Sequence, residues 1–261
     1  MQELVISDAQ LMQFIGQYIW PLLRVSAFYF AVPVIGARTV PARVRIILSL
    51  FTVIILVPVL PPAPVISFLS AEGFMLIIQE VLIGLALGFC LQVVMHVFVL
   101  AGQFIAMKMG LGFAAMNDPA SGVSVTILSQ FYLLISTLLF LSVNGHLVVL
   151  QLMVDSFATF PIGGAGLNSG HFATIAGMGS WLFSAALVIT LPLFTSLLIV
   201  NMSFGVMSRS APQMNVFTVG FPITLLLGFI LMWFTLANFL PVYFEIMEEG
   251  IGVLRTLVTT P

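Results

Sequence analysis

The sequence predicts an all-α membrane protein, with about six long, partly kinked apolar helical regions arranged as hairpins. Three observations carry this. Of 261 residues, 61% are hydrophobic, against roughly 45–50% in soluble domains. Only 6% are charged, with a net charge of −2, where about a quarter is usual. Sixteen charges cannot cover the surface of a soluble chain this long. The apolar runs are also long and unbroken, whereas a membrane β-barrel shows short alternating segments.

A helix crosses the hydrocarbon with about 20 residues. The first region covers residues 11–35 and the second 46–60. The third, 74–107, exceeds one crossing and must tilt, bend or project beyond the bilayer. The fourth covers 123–143 with an apolar extension to 160. The fifth, 172–207, is again too long for one crossing, and the sixth covers 216–243. Pro21, Pro192 and Pro222 lie inside these runs and predict kinks.

Charge placement gives orientation. Arg38, Arg43 and Arg45 put three of the seven basic residues into the loop after the first region, which therefore faces the cytoplasm. Glu3 and Asp8 then lie outside, as does the proline-rich loop at 59–73, which has no basic residue. Alternation returns the 108–122 and Arg209 loops to the cytoplasmic side. The acidic, non-basic N-terminus predicts no cleaved signal peptide. No internal repeat is visible, which weighs against an inverted-repeat transporter.

Several function classes find no support. There is no basic surplus for nucleic-acid binding. The lone Cys90 forms no internal disulfide or thiolate cluster. His96 and His146 have no ligand at helical spacing, so no metal or other cofactor is expected, and His171 sits in a Gly- and Asn-rich stretch expected to be solvated. No nucleophile elbow, P-loop, HExxH or dinucleotide fingerprint occurs, so no enzyme is expected.

Other residues stand out. Arg24 is a charge within the first region. It reads as a structural ion pair, a carbonyl-bound guanidinium or a transport group, since intramembrane charge is costly. Glu80 lies near the start of the third region, at an interface or buried. Gly84 and Gly88 have the spacing that lets two helices approach closely, between subunits or within one. The stretch MGLGFAAMNDPASG ends a long helix with Gly110 and Gly112 and continues through Phe113, Met116, Asn117, Asp118 and Pro119 to Gly122. It is too apolar for a solvated loop and too broken for a helix. Such backbone is tolerated at membrane depth only inside protein or beside a water-filled cavity, so it reads as a re-entrant plug or as a plain connection. Arg209, Pro212, Gln213 and Asn215 form a polar turn between two apolar helices, a hairpin turn or a docking turn for a partner.

In the motifs MGLGFAAMNDPASG, RSAPQMNVFTVGFP and PVIGARTVPARVR the chain resembles the FliR family of flagellar type III export-gate proteins, over essentially its whole length. The resemblance implies a single export-gate domain over residues 1–261 in the bacterial inner membrane and flagellar basal body, partly projecting to the periplasmic side. It implies a plug at 102–122, whose Phe113 and Met116 are bulky, whose Gly110, Gly112 and Gly122 are hinges, and whose turn Asp118 and Pro119 fix. It implies a FliQ-like helical hairpin at 172–243, with the 209–215 turn meeting an FlhB-type partner. FliP-type and FliQ-type subunits would join the chain in one helical hetero-oligomer with FlhB-type and FlhA-type proteins, passing unfolded export substrates. The competing reading is a proton-coupled small-molecule transporter using Arg24, Glu80 and His96.

Overall fold

A computed structural model describes residues 8–37, 39–111, 126–210 and 216–259. Among these it contains eight α-helices and no strand. They are α1 (Asp8–Ala31), α2 (Ala42–Leu56), α3 (Ala71–Lys108), α4 (Ile127–Ser142), α5 (Gly145–Thr159), α6 (Ser169–Ser210), α7 (Val216–Leu236) and α8 (Phe239–Thr259).

Two of the six apolar regions are therefore each two helices. The fourth breaks at Asn144, whose φ of 57° is left-handed. Asn is one of the few residues with a Cβ that adopt that conformation readily. The sixth turns by 68° between α7 and α8, at residues 237–238. Among the described residues two helices, α3 and α6, are long and apolar enough to cross a membrane, or up to four spans if each bent pair counts as one. At 38 and 42 residues, these two run for roughly 57 and 63 Å, about twice the hydrocarbon thickness. In contrast, α2 has 15 residues and reaches only about 22 Å.

Sequence signals at the helix ends act as local chemistry requires. The Ser70 hydroxyl accepts the Gly73 N–H at 3.0 Å, an N-cap for α3. The start of α6 carries a reciprocal cap: Asn168 Oδ1 accepts the His171 N–H at 3.1 Å, and the Asn168 N–H donates to His171 Nδ1 at 3.0 Å. His171 thus plays the part glutamate plays in the usual capping box. It is buried, edge-on to Phe160, rather than solvated as its neighbours suggested. At the end of α3, Gly110 has φ +83°. Its N–H donates to Met107 O, and the Leu111 N–H donates to Ala106 O. This paired closure needs a left-handed residue that glycine supplies without strain.

The chain divides into two units. The first holds residues 1–93, 143–178 and 250–261; the second holds 94–142 and 179–249. In the first unit Trp20, Val25, Phe28, Val53, Leu76, Ile83, Leu91, Met153, Phe157 and Leu254 are buried. Trp20 also packs on Phe68 and Ala63 of the proline-rich loop, with the two rings 4.7 Å apart. In the second unit Phe98 of α3 meets Tyr243 at 5.3 Å and Phe239 at 5.8 Å, and Tyr132 of α4 meets Phe239 at 5.6 Å. The most apolar window of α3 is 61% buried and that of α6 only 28%. The free faces of α6, with Phe183, Val188, Ile199 and Met202 exposed, are left for lipid or partner proteins.

Candidate functional site

Two constellations carry the polar chemistry of this apolar chain, one in each unit. In the first unit Arg24 lies on α1 and Glu80 on α3, and neither side chain is exposed to solvent. Arg24 Nε donates to Glu80 Oε2 at 2.7 Å, and one terminal nitrogen donates to Glu80 Oε1 at 2.9 Å. That nitrogen also donates to Phe160 O at 2.7 Å. The other terminal nitrogen donates to Ser156 O at 2.9 Å and to Ser156 Oγ at 3.3 Å. All five guanidinium N–H groups are thus used, in the forked geometry that matches a carboxylate. The Phe157 ring stacks 4.1 Å from the guanidinium carbon, a further attraction in a dry site.

This arrangement has a local cause on α5. Pro161 follows Phe160 and ends the helix. The last carbonyls of any helix lack intrahelical partners and carry partial negative charge. Arg24 satisfies the Phe160 carbonyl from another helix and adds a second donor to Ser156 O, which already accepts the Phe160 N–H at 2.9 Å. The guanidinium is therefore at once ion-paired and carbonyl-bound, two of the roles its sequence position left open. Sequence reading missed Ser156, Phe157 and Phe160; the signal that could have found them is a proline-terminated helix in a chain with one basic residue inside an apolar helix.

Gly84 and Gly88 explain how α1 and α3 come close enough for that ion pair. A Cβ on Gly84 would stand 2.2 Å from Arg24 O, and one on Gly88 would stand 2.6 Å from Ala31 Cβ. Both glycines face α1 of the same chain.

The loop after α1 is folded around Arg45. Its terminal nitrogen donates to Val40 O at 2.8 Å and to Ala37 O at 3.2 Å, and its guanidinium stacks 4.9 Å from the Phe30 ring. Replacing Arg38, Arg43 and Arg45 together by Gln should misorient or prevent membrane insertion. Protease accessibility of the loop in inverted vesicles reads this directly. Unchanged orientation would remove these residues as topology anchors.

In the second unit the residues flanking 112–125, Leu111 and Thr126, are both held on α3. Beside the Gly110 closure, Lys108 Nζ lies 3.8 Å over the Phe194 ring. A Cβ on Gly110 would meet Phe221 at 2.8 Å, and one on Gly228 would meet Met109 at 2.5 Å. On the return side Thr126 caps α4, its hydroxyl accepting the Ser129 N–H. The Thr126 N–H and the Ser129 hydroxyl both donate to Gln103 Oε1, at 3.4 and 3.2 Å. Gln103 lies about 8 Å before the end of α3.

Arg209 is exposed at the end of α6. Gly112, Phe113, Met116, Asn117, Asp118, Pro119 and Gly122, the rest of the expected plug, lie outside the described residues, as do Pro212, Gln213, Asn215 and Arg38. Among the described residues no three His, Cys, Asp or Glu side chains converge as metal ligands, and Cys90 is buried.

Comparison with known proteins agrees with the sequence motifs. Residues 15–250 match the family of bacterial export proteins, family 1. The chain is 37% identical to the flagellar biosynthetic protein FliR of Escherichia coli strain K12, over 98% of both chains. It is 33% identical to that of Pectobacterium carotovorum subsp. carotovorum, again over 98% of both. With that of Bacillus subtilis strain 168 it shares 31% identity, over 90% of this chain and 92% of the relative. Matches of this extent leave no segment of the fold unaccounted for by one family, and the chain belongs to bacterial export proteins family 1 and, within it, to the FliR family.

Proposed function

We propose that the chain is a structural subunit of the flagellar protein export apparatus in the bacterial inner membrane, helping to form and seal the entrance of the export channel. The observation that carries this is the likeness to flagellar biosynthetic proteins over 98% of the chain. The small-molecule transporter is not favoured, because the relatives account for the same residues without it.

In this reading the segment from Gly110 to Gly122 is the plug, with Phe113 and Met116 as its bulk. It closes the pore by steric blockage and dewetting. The pinned ends support the assignment. Residues 112–125 start at Leu111 and return to Thr126, which is held beside Gln103. An extended chain of that length reaches roughly 45 Å, several times the separation of its attachments. The surplus is what a plug needs and a plain connection does not. The chain acts with FliP-type and FliQ-type subunits in one hetero-oligomer, with FlhB-type and FlhA-type proteins beside it. Unfolded substrates pass through, and part of the assembly projects to the periplasmic side. The 172–243 hairpin presents Arg209, Pro212, Gln213 and Asn215 to the FlhB-type partner. The role is architectural, with no catalytic step.

The test replaces residues 112–122 with a short Gly/Ser linker, which leaves the Gly110–Leu111 closure of α3 intact. Membrane ion leakage should rise severalfold, while native mass spectrometry still finds one copy of the chain in a large hetero-oligomer. Unchanged leakage would place the seal elsewhere. Recovery of the unaltered chain as a monomer or homodimer, after co-expression with its operon neighbours, would overturn the export-gate reading.

A further inference from the structure

One polar feature takes no part in either constellation. On the face of α5 away from Arg24, the side chains of Gln151, Asp155 and Thr159 recur every fourth residue and form a single line. With Val148 at its start, this face is about 16 Å long. It forms one wall of a groove of about 550 Å³, and Arg255 and Thr259 of α8, also four residues apart, form the other. The Thr159 hydroxyl donates to Val258 O and joins the two walls at one end.

Asp155 and Arg255 line the same groove and are both exposed, yet they form no ion pair with each other, and neither side chain bonds to another described residue. The buried charges of Arg24 and Glu80, in contrast, are fully satisfied. In a chain with so few charges, an acid and a base are held open on one helix pair with no partner among the described residues. Ionisable groups at membrane depth are paired or face water, and Gln and Thr bond across helices there. A neighbouring subunit that enters the groove from within the bilayer must also satisfy its own backbone, which selects a helix.

We propose that the groove between α5 and the end of α8 seats a helix of a neighbouring membrane subunit, which sets a basic side chain against Asp155 and a carboxylate against Arg255. The inference rests on the reading of the chain as one subunit of a hetero-oligomer. The two opposed contacts fix both the register and the direction of the incoming helix, because reversing it would set like charges together.

The experiment places a photo-crosslinking amino acid at Gln151 in the full chain, expressed in its own cells with the whole export apparatus. The expected result is an adduct with a membrane subunit other than this chain. Its mapped peptide should carry an acid and a base within a turn or two of one another. Asp155→Arg or Arg255→Glu should each reduce the adduct at least tenfold without lowering the amount of chain in the membrane. Asp155→Asn and Arg255→Gln, which add no new charge, should reduce it by less. Exchanging the two charges, with Asp155→Arg and Arg255→Asp in one chain, should not restore it, whereas reversing the mapped partner residues should. Adducts with lipid alone or with a second copy would overturn the proposal, as would no adduct. Rescue by the internal exchange would also overturn it, since the two charges would then serve each other. Native mass spectrometry of the same membranes separates this failure from failure of the export-gate reading. A chain present in the hetero-oligomer but uncrosslinked at Gln151 fails only here.

Discussion

Arg24→Ala should be the most damaging single change in the described part of the chain. It would leave the Glu80 carboxylate in a site from which solvent is excluded, and it would strip the Phe160 carbonyl of its Arg24 donor and leave Ser156 O with the Phe160 N–H alone. Breaking a buried ion pair by removing one member costs about 3–5 kcal/mol. That is a large share of the roughly 5–15 kcal/mol that holds a typical domain folded. The variant should therefore fail to accumulate in membranes, read as steady-state level and as lifetime after a pulse of synthesis. Arg24→Lys should be nearly as harmful, because an ammonium cannot reproduce the five-donor fork. Replacing Arg24 and Glu80 together by Met should recover much of the loss, since a well-packed apolar pair is often as stable as the ion pair it replaces. Normal accumulation of Arg24→Ala would show that the ion pair does not hold these helices together.

The second large effect is expected at Gly84. Any Cβ there meets Arg24 O at 2.2 Å, Ala27 Cβ at 2.9 Å and Phe28 N at 3.0 Å. Backbone atoms of a packed helix cannot swing aside as the end of a flexible side chain can, so α1 and α3 must move apart. Overpacking of this kind costs about 1–3 kcal/mol. Separation would also lengthen the Arg24–Glu80 bonds, because Glu80 lies one helical turn before Gly84. Gly84→Val should therefore reduce thermal stability of the purified chain sharply, and Gly84→Ala measurably. Gly177 provides the contrast: a Cβ there has nothing within 4 Å, and Gly177→Ala should stabilise α6 by up to about 1 kcal/mol through helix propensity alone. Equal losses at both positions would mean that glycine acts through helix propensity and not through close approach.

These residues also mark how far the sequence could be read. Composition and run length gave the helical membrane class, and the long third and fifth regions are α3 and α6. The break at Asn144 was hidden by its surroundings: Asn-Gly is a turn signal, but here it interrupts a run that is apolar on both sides. Much of α8 fell outside the sixth region for the opposite reason. Glu245, Glu248, Glu249 and Arg255 lower its hydropathy, yet Phe239, Tyr243, Ile246, Met247, Leu254 and Leu257 are buried at helical spacing. Periodicity would have found what hydropathy did not. Arg24 and Glu80 each stood out as lone charges. Their pairing could not be read, because it joins residues 56 positions apart and nothing local records which helices meet. The 102–122 motif was legible as a break in a helix, and the structure adds where Leu111 and Thr126, on either side of 112–125, are fastened.

The Arg24 cluster bears on how the chain is made. Its acceptors on α5 come 132 and 136 residues after Arg24 itself. At about 5–20 residues per second, roughly 7–27 s separate synthesis of the cation from synthesis of the last carbonyl that receives it. For that interval the nascent N-terminal helices carry a guanidinium with unfilled donors. The first helix therefore cannot reach its final packing until residue 160 has been made. The 250–261 part of the same unit is made later still.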